Sequence, residues 1–171
     1  MCSEYYDLDK PKAQKEVLDF YRSYLLGAKG PILEPMCGTG NFFIPFTQEG
    51  LEIEGYDASE EMLSILKRKA HEKGLNISAW KQFTQEMHES NDYSLIFIPL
   101  RSLGLVTNSY QLEVTLNNFF ASLAPDGKLV FEASKPRDYF ENRHWSGNIR
   151  YRDKNDFIML STLSLPLDNN I

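Results

Sequence analysis

The chain has 171 residues, of which 42% are hydrophobic and 25% charged, and its formal net charge is −6. This length suits one domain with a substantial core, and this composition excludes an intrinsically disordered chain. The negative net charge also disfavours non-specific nucleic-acid binding, which needs a basic surface.

Cysteine content and the N-terminus indicate a compartment. Cys2 lies at the terminus and Cys37 in a predicted tight turn, so we expect no disulfide and a reducing environment. The opening stretch MCSEYYDLDK is acidic and aromatic, unlike a signal peptide. No apolar run of the sequence reaches the roughly 20 residues that a membrane span needs. The sequence predicts a cytoplasmic protein.

Helices and strands alternate in the predicted order. The predicted strands lie at residues 31–35, 51–57, 76–80, 93–98 and 128–133. The predicted helices lie at residues 11–26, after Gly40, at 59–74 and from 109 to the turn at 125–127. Alternation of this kind predicts right-handed βαβ units and a parallel sheet covered on both faces.

Helical periodicity assigns the apolar faces. The first helix should bury Val17, Phe20, Tyr21, Tyr24 and Leu25. The helix at 59–74 should begin at an N-cap, Ser59, and bury Met62, Leu63, Ile65, Leu66 and Ala70. The helix before the 125–127 turn should bury Leu112, Leu116, Phe119, Phe120 and Leu123. The tail after residue 136 predicts an antiparallel hairpin around Lys154–Asp156.

A glycine turn follows the first strand, in the stretch PILEPMCGTGNFFIPF. Gly38 and Gly40 let the chain turn tightly and let a ligand approach the backbone. Asp57 ends the second strand, where a carboxylate can accept hydrogen bonds from ribose hydroxyls. These features predict a ribose-bearing cofactor, although a plain structural turn with Asp57 as a cap is the alternative.

The charge of the residues near the turn indicates which ribose-bearing cofactor it would bind. A dinucleotide fingerprint needs a third glycine, and Phe43 occupies that place. Glu34, at the mouth of the turn, would repel a pyrophosphate but attract a cation. S-adenosylmethionine carries a ribose, a sulfonium and an ammonium group, so we expect this cofactor rather than a nicotinamide dinucleotide.

Four stretches carry a family resemblance: ILEPMCGTGNFFIPF, LEIEGYDASEEMLSILKRKA, DYSLIFIPLRSLGLV and FFASLAPDGKLVFEA. Over residues 5–135 they resemble the successive motifs of class I S-adenosylmethionine-dependent methyltransferases, in the subgroup with an LEPMCGxG first motif. The resemblance implies a Rossmann-like, doubly wound, mostly parallel sheet, of seven strands in the full family. It also implies a cofactor site made of Glu34, Gly38, Gly40, Asp57, Ala58 and Met62, with Glu34 at the methionine end, Asp57 at the ribose, and Ala58 and Met62 beside the adenine.

The sequence departs from this family in three places. Asn41 replaces the subgroup's usual arginine. Phe83 stands where an acid usually holds the adenine amino group, so that contact is expected from the backbone of Phe83 and Thr84 or from an amide side chain. After the fifth strand the family has a further helix and two strands, whereas residues 136–171 offer room for a loop and a hairpin only. A naturally short chain and a truncated one are both consistent with this difference.

Methyl transfer depends mainly on alignment, so we expect no obligatory catalytic triad and leave the catalytic residues unassigned. Weaker candidates each have a structural alternative. His71 could simply be solvated, His88 could be a surface-loop residue instead of a base, and His144, beside Trp145, could pack instead of contacting the acceptor. Arg101 could be a solvated charge at the rim of the site, and Tyr5 and Tyr6 could staple the first helix instead of forming a lid. Cys37 is expected to be a small turn residue. No His, Cys and carboxylate cluster has metal-ligand spacing, so we expect no metal.

The sequence as a whole predicts a cytoplasmic methyltransferase that acts on a small-molecule acceptor, not on nucleic acid or a membrane. Residues 1–135 would form the cofactor-binding domain, and residues 136–171 a hairpin tail of that domain that serves as a lid or a dimer contact. A homodimer is expected because the hairpin is apolar. The alternative is a shortened, inactive homologue that only binds S-adenosylmethionine or its product.

Overall fold

A computed structural model of the chain describes residues 3–10, 12–87, 93–133, 144–151 and 157–164. The helices are α1 (Ser3–Asp9), α2 (Lys15–Leu25), α3 (Phe43–Gln48), α4 (Glu60–Glu72) and α5 (Ser109–Ala121). The strands are β1 (Ile32–Pro35), β2 (Ile53–Asp57), β3 (Ser78–Lys81), β4 (Tyr93–Ile98), β5 (Leu123–Phe131), β6 (His144–Tyr151) and β7 (Phe157–Ser164). Two 3₁₀ turns lie at Thr84–Glu86 and Ser102–Leu105.

Five strands form a parallel sheet in the order β3-β2-β1-β4-β5. Strand β1 therefore lies in the middle, with β2 on one side and β4 on the other. Alternate residues of β4 face opposite layers: Leu95 and Phe97 pack with α2, α3 and α4, whereas Ile96 and Ile98 pack with α5. Burial on both faces explains why this strand is apolar throughout.

Local capping sets where the longer helices begin. The Ser59 hydroxyl accepts a hydrogen bond from Met62 N at 3.2 Å, and the Asn108 side chain accepts one from Gln111 N at 3.0 Å. A cap of this kind stabilises a helix by about 1 kcal/mol. The capping role that the sequence assigned to Ser59 is confirmed.

The structure corrects two predicted core residues. Phe20 is 50% exposed and Phe120 is 79% exposed. Each lies one position, or about 100° of helix rotation, from a fully buried neighbour, Tyr21 or Phe119. The apolar faces are therefore narrower than the helical spacing suggested.

Strand β5 begins earlier than predicted, at Leu123 instead of residue 128. The predicted turn at 125–127 is an irregularity within this strand, since Tyr93 pairs with Leu123 and Leu95 already pairs with Lys128. A Cβ on Gly127 would lie 2.7 Å from the carbonyl oxygen of Tyr93, so the strand can approach β4 here only with glycine.

The chain divides into two compact units, Lys12–Ala133 and the combination of Met1–Pro11 with Ser134–Ile171. The first unit contains the five-stranded sheet. In the second, β6 and β7 pair antiparallel as a two-stranded sheet, with His144 opposite Ser164 and Tyr151 opposite Phe157, which confirms the predicted strand pair. The predicted turn at 154–156 lies outside the described residues. Helix α1, which the sequence did not predict, also belongs to this second unit.

Among the helices that the structure describes, none has both the length and the apolar character of a membrane span.

Candidate cofactor site

The strand order of the sheet creates a crevice at the carboxyl ends of its strands. Chain connections run from β1 to β2 on one side, while β4 lies on the other side of β1. In doubly wound sheets, ligands bind at the carboxyl ends of the strands where the order reverses. Here that place lies between the ends of β1 and β4, so the residues that follow Pro35 and Ile98 form its walls.

The glycine turn that follows β1 has an unusual backbone. Met36, Gly38 and Gly40 all have positive φ angles, of 57°, 54° and 84°. Cys37 N donates a hydrogen bond to the carbonyl oxygen of Tyr56 at 3.0 Å, which ties the turn to the end of β2. Left-handed backbone at a bulky residue such as Met36 costs about 1–2 kcal/mol, so this conformation is held by its surroundings.

The two glycines of the turn serve different purposes. A Cβ on Gly38 would meet no heavy atom within 4 Å, so Gly38 borders open space. A Cβ on Gly40 would lie 2.4 Å from Leu66 Cδ1 and 3.0 Å from Ile44 Cγ1. Gly40 therefore allows α4 to pack against the turn, which is a structural reason for glycine that the sequence reasoning did not foresee.

Asp57 joins the turn to helix α4. Its Oδ2 accepts a hydrogen bond from Gly38 N at 2.9 Å, and its Oδ1 accepts one from Ser59 N at 2.8 Å. Each carboxylate oxygen can accept a second hydrogen bond, so both can still bind a ribose hydroxyl. Asp57 therefore lies at the end of β2 and has a structural role, beside the ribose contact predicted for it.

Glu34 is the most unusual side chain of the site. It is 2% exposed, and its Oε2 has no hydrogen-bond partner among the described residues. Burial raises the pKa of its carboxyl well above the ordinary value, and the negative charge of Asp57 raises that pKa further. A buried carboxyl of this kind is costly unless a ligand supplies a positive charge or a hydrogen-bond donor.

Thr39 is a candidate that the sequence reasoning missed. It lies between the two glycines, is 1% exposed, and its Oγ1 has no hydrogen-bond partner within the described part of the chain. A hydroxyl between two glycines was the available sequence signal. Cys37, in the same turn, is buried and free, and burial raises the pKa of its thiol well above the usual range. It is a small turn residue, as expected.

The residues expected at the adenine follow β2 and β3. Ala58 and Met62 are half-buried, and Phe83 is 45% exposed just beyond the end of β3. Thr84 is 5% exposed, and its hydroxyl accepts a hydrogen bond from the hydroxyl of Thr115, on α5, at 3.2 Å. The Thr84 side chain therefore faces the core, and its backbone alone is available to a ligand.

An amide side chain was the alternative for the adenine contact. The Gln82 side chain instead accepts a hydrogen bond from Trp80 Nε1 and donates one to the carbonyl oxygen of Glu86. Gln85 accepts a hydrogen bond from the Thr84 hydroxyl at 3.4 Å. These bonds favour the backbone contact at Phe83 over an amide contact from Gln82.

Phe43 and Gly55 explain how the turn does without a third glycine. Phe43 is fully buried, and a Cβ on Gly55 would lie 2.7 Å from Phe43 Cε2. The glycine that permits close packing is therefore on strand β2 instead of helix α3. The aromatic ring of Phe43 belongs to the hydrophobic core.

The segment that follows β4 forms the other wall of the crevice, and its backbone is also strained. Leu100 and Arg101 have φ angles of 57° and 58°, in the left-handed region that bulky residues rarely adopt. Glu132, directly after β5, accepts a hydrogen bond at its Oε1 from Leu100 N at 3.0 Å and one from the Tyr21 hydroxyl at 3.2 Å. Sequence reasoning identified Arg101 but gave Tyr21 only a core role and did not consider Glu132.

The remaining candidates are placed as follows. Asn41 is buried within the glycine turn, and His71 and Arg101 are exposed. Tyr5 is buried on α1, where Tyr6 has the Lys10 ammonium 5.3 Å from its ring centre. His88 lies outside the described residues, and of His144 the structure describes the backbone in β6. The searched part of the chain contains no group of three or more His, Cys, Asp or Glu residues that could hold a metal ion.

Two carboxylates and an open glycine define what this crevice can bind. Glu34 and Asp57 carry like charges close enough that one raises the pKa of the other. A cationic ligand relieves that repulsion, whereas a phosphate would increase it. The unpartnered Glu34 oxygen and the free space at Gly38 fit a ligand that combines a ribose with a positive charge.

Residues 32–127 match the model of a protein family described as "Methyltransferase domain". The chain belongs to this family. The class I methyltransferase fold predicted from the sequence is confirmed. Two solved structures of this fold contain S-adenosylmethionine, the cofactor expected from the sequence.

One curated relative is the Geobacillus sp. (strain WCH70) protein named "Putative methyltransferase GWCH70_2453". It is 29% identical over 127 residues, which cover 74% of this chain and 50% of that protein. The chain therefore spans half the length of this relative.

Solved structures show the same fold. An S-adenosylmethionine-dependent methyltransferase from Clostridium acetobutylicum superposes with a TM-score of 0.74 at 18% identity, over 93% of this chain and 76% of that one. An amino pentose methyltransferase from Micromonospora echinaspora, solved with S-adenosylmethionine bound, has a TM-score of 0.66 at 15% identity, over 88% of this chain and 73% of that one.

Proposed function

We propose that this chain transfers a methyl group from S-adenosylmethionine to a small-molecule acceptor. The observation that carries the proposal is the buried Glu34 carboxyl, whose Oε2 has no partner among the described residues. Glu34 lies on β1, which pairs with the strand that ends at Asp57, and Gly38, which borders open space, follows β1. A ligand with a ribose and a positive charge satisfies all three residues.

The proposed cofactor site consists of Glu34, Gly38, Gly40, Asp57, Ala58, Met62, Phe83 and Thr84. Glu34 would orient the methionine end, and Asp57 would accept hydrogen bonds from the ribose. Met62 and the exposed ring of Phe83 would flank the adenine, whose amino group would meet the backbone of Phe83 and Thr84. Thr39 is added to this set because it belongs to the same turn and its buried hydroxyl has no hydrogen-bond partner among the described residues.

Bound S-adenosylmethionine supplies a methyl group already activated by the sulfonium. The residues of the chain then have to hold the cofactor, exclude water and present one face of the methyl group to the acceptor, and such positioning can supply most of the acceleration. A general base is needed only for an acceptor that is protonated at the working pH. We therefore assign no obligatory catalytic residue.

A small-molecule acceptor is proposed in preference to nucleic acid because the net charge is −6. The Micromonospora echinaspora structure described above is named as an amino pentose methyltransferase, which also supports a small acceptor. We also propose, from the sequence, that the chain belongs to the LEPMCGxG subgroup and acts in the cytoplasm.

A homodimer is proposed from the edge of the sheet. Strand β5 is the last strand of the five-stranded sheet, and Phe131 on it is 42% exposed. Edge strands recruit partners through their unpaired backbone groups. Residues 136–171 would be the dimer contact or a lid of the cofactor-binding domain 1–135. Light scattering at tens of micromolar would show twice the monomer mass, and a monomer mass would contradict the dimer.

Calorimetric titration of the purified chain with S-adenosylmethionine, S-adenosylhomocysteine and NAD tests the function. We expect affinity in the micromolar range for the first two and no measurable binding of NAD. Tighter binding of NAD would refute the proposal. Cofactor binding with no methyl transfer to any of a panel of amines, alcohols and thiols would favour the inactive homologue.

A further inference from the structure

The segment that follows β4, residues 99–101, is called here the β4 rim. Its two consecutive left-handed residues, Leu100 and Arg101, both have large side chains, and the rim forms one wall of the cofactor crevice. A backbone of this kind persists only where neighbouring groups hold it, and such strain is often found at functional sites. The question is which groups hold the rim.

Glu132 makes the contacts that hold it. Its Oε1 accepts the hydrogen bond from Leu100 N at 3.0 Å, at the first left-handed residue of the rim. Glu132 N in turn donates to the carbonyl oxygen of Ile98 at 3.3 Å, just before the rim. The Glu132 backbone is therefore hydrogen-bonded to the end of β4, and its carboxylate is hydrogen-bonded to the strained backbone of the rim.

Tyr21 connects this carboxylate to the rest of the crevice. Its side chain is fully buried, and its hydroxyl lies 3.2 Å from Glu132 Oε1 and 3.4 Å from the carbonyl oxygen of Ile98. Burial raises the pKa of the Tyr21 hydroxyl, and the charges of Glu132 and then Glu34 raise it further. The Tyr21 phenol thus lies within electrostatic range of the carboxylates on both sides of the crevice.

We propose that Glu132 is a positioning residue of the cofactor site, which holds the β4 rim in its left-handed conformation with Tyr21 as its partner. The rim then forms the wall that follows β4, the strand that pairs with β1, on which Glu34 lies. This inference rests on the proposed function, because the crevice it shapes is the proposed cofactor site. It assigns a role to the carboxylate after β5, which the resemblance to the family did not include.

A simple stabilising role for Glu132 makes different predictions. If Glu132 only stabilised the fold, its removal would lower the melting temperature and leave the affinity of the folded protein unchanged. If it positions the rim, affinity falls at temperatures where the variant is fully folded. A residue that makes the left-handed backbone unstrained should then restore affinity without the carboxylate.

The experiment compares five variants by titration with S-adenosylmethionine, at a temperature where circular dichroism shows each to be folded. Glu132→Ala removes the carboxylate that accepts the hydrogen bond from Leu100 N. Glu132→Gln keeps an oxygen that can accept hydrogen bonds from Leu100 N and the Tyr21 hydroxyl. The double variant Glu132→Ala with Leu100→Gly relieves the strain at φ 57°. Glu113→Ala, an exposed carboxylate on α5, is the control.

We expect Glu132→Ala to bind about tenfold more weakly than the wild type, and Glu132→Gln and Glu113→Ala to stay within about twofold. The double variant should recover at least half of the loss on a logarithmic scale. Leu105→Gly, in the same Glu132→Ala background, places glycine at an exposed position of the next turn and should recover nothing.

A ligand-free measurement accompanies the titrations. Hydrogen exchange at the Leu100 amide should be faster in Glu132→Ala than in the wild type and unchanged in Glu132→Gln. Wild-type affinity in Glu132→Ala would overturn the positioning role, and so would equal weakening in Glu132→Ala and Glu132→Gln. If the wild type itself fails to bind S-adenosylmethionine, the proposed function is wrong. The positioning role is then wrong as well, even if hydrogen exchange shows that Glu132 protects the Leu100 amide.

Discussion

The open space at Gly38 allows a substitution that tests the cofactor site with little effect on its surroundings. Gly38 has a φ of 54°, and a Cβ there would meet no atom within 4 Å. An alanine would retain the N–H that donates to Asp57 Oδ2, so the hydrogen bond at 2.9 Å can persist. The only protein cost is the left-handed backbone, about 1–2 kcal/mol for a residue with a Cβ.

A matched control exists in the same unit. Gly74 follows α4, has a φ of 65°, and its Cβ would also meet no atom within 4 Å. Gly74→Ala therefore has the same kind of backbone cost, but it lies beyond the C-terminal end of α4, away from the crevice. Both variants should melt about 2–8 °C below the wild type, since 1 kcal/mol corresponds to about 2–4 °C for a chain of this length.

Binding should separate the two variants. In Gly38→Ala the added methyl group would occupy space that the cofactor needs, and overpacking of this kind costs about 1–3 kcal/mol. The dissociation constant for S-adenosylmethionine should rise about 5- to 150-fold in calorimetry, while that of Gly74→Ala should stay within about twofold. If Gly38→Ala binds as tightly as Gly74→Ala, the ligand does not approach this turn and the proposed site is wrong.

Two further substitutions test the carboxylates. Because the folded-state pKa of Glu34 is raised, its contribution to stability is complete below the ordinary pKa of 4.5 and is lost as the pH rises through the folded-state pKa. Thermal unfolding of the ligand-free wild type between pH 5 and 8 should therefore show a loss of up to about 1.4 kcal/mol per pH unit that Glu34→Gln lacks, and identical pH profiles would contradict the buried carboxyl. Asp57→Ala should weaken S-adenosylmethionine binding by about 1.5–3 kcal/mol and also lower the melting temperature, because Gly38 N and Ser59 N lose their acceptor. A binding loss without a stability loss, by calorimetry and thermal unfolding, would show that those two hydrogen bonds do not matter.

Local sequence signals predicted most elements of the sheet unit. The five parallel strands, the Ser59 cap and the helix that follows it were all expected. These features depend on residues close together in the chain: a cap three residues before its donor, or an apolar run bounded by turns. Exposed Phe20 and Phe120 show the limit, because helical spacing indicates a face but does not fix its width.

Long-range packing could not be predicted in the same way. The reason for glycine at position 40 is Leu66, 26 residues later, and the space for Phe43 is provided by Gly55 on another strand. Glu132 contacts Tyr21 across 111 residues. None of these pairs has a periodic or local signature, so they emerge only when the strand order brings the elements together.

The same reasoning explains why Glu34 is the most informative residue of the chain. A buried carboxyl oxygen that has no hydrogen-bond partner in the described part of the chain breaks the rule that buried polar groups are satisfied. Such departures concentrate at functional sites. A neutral side chain at position 34 would spare the fold the cost of burying this acid, but it would also remove the group that attracts a cation. The carboxyl beside Asp57 is therefore better explained by a bound positive charge than by the stability of the empty fold.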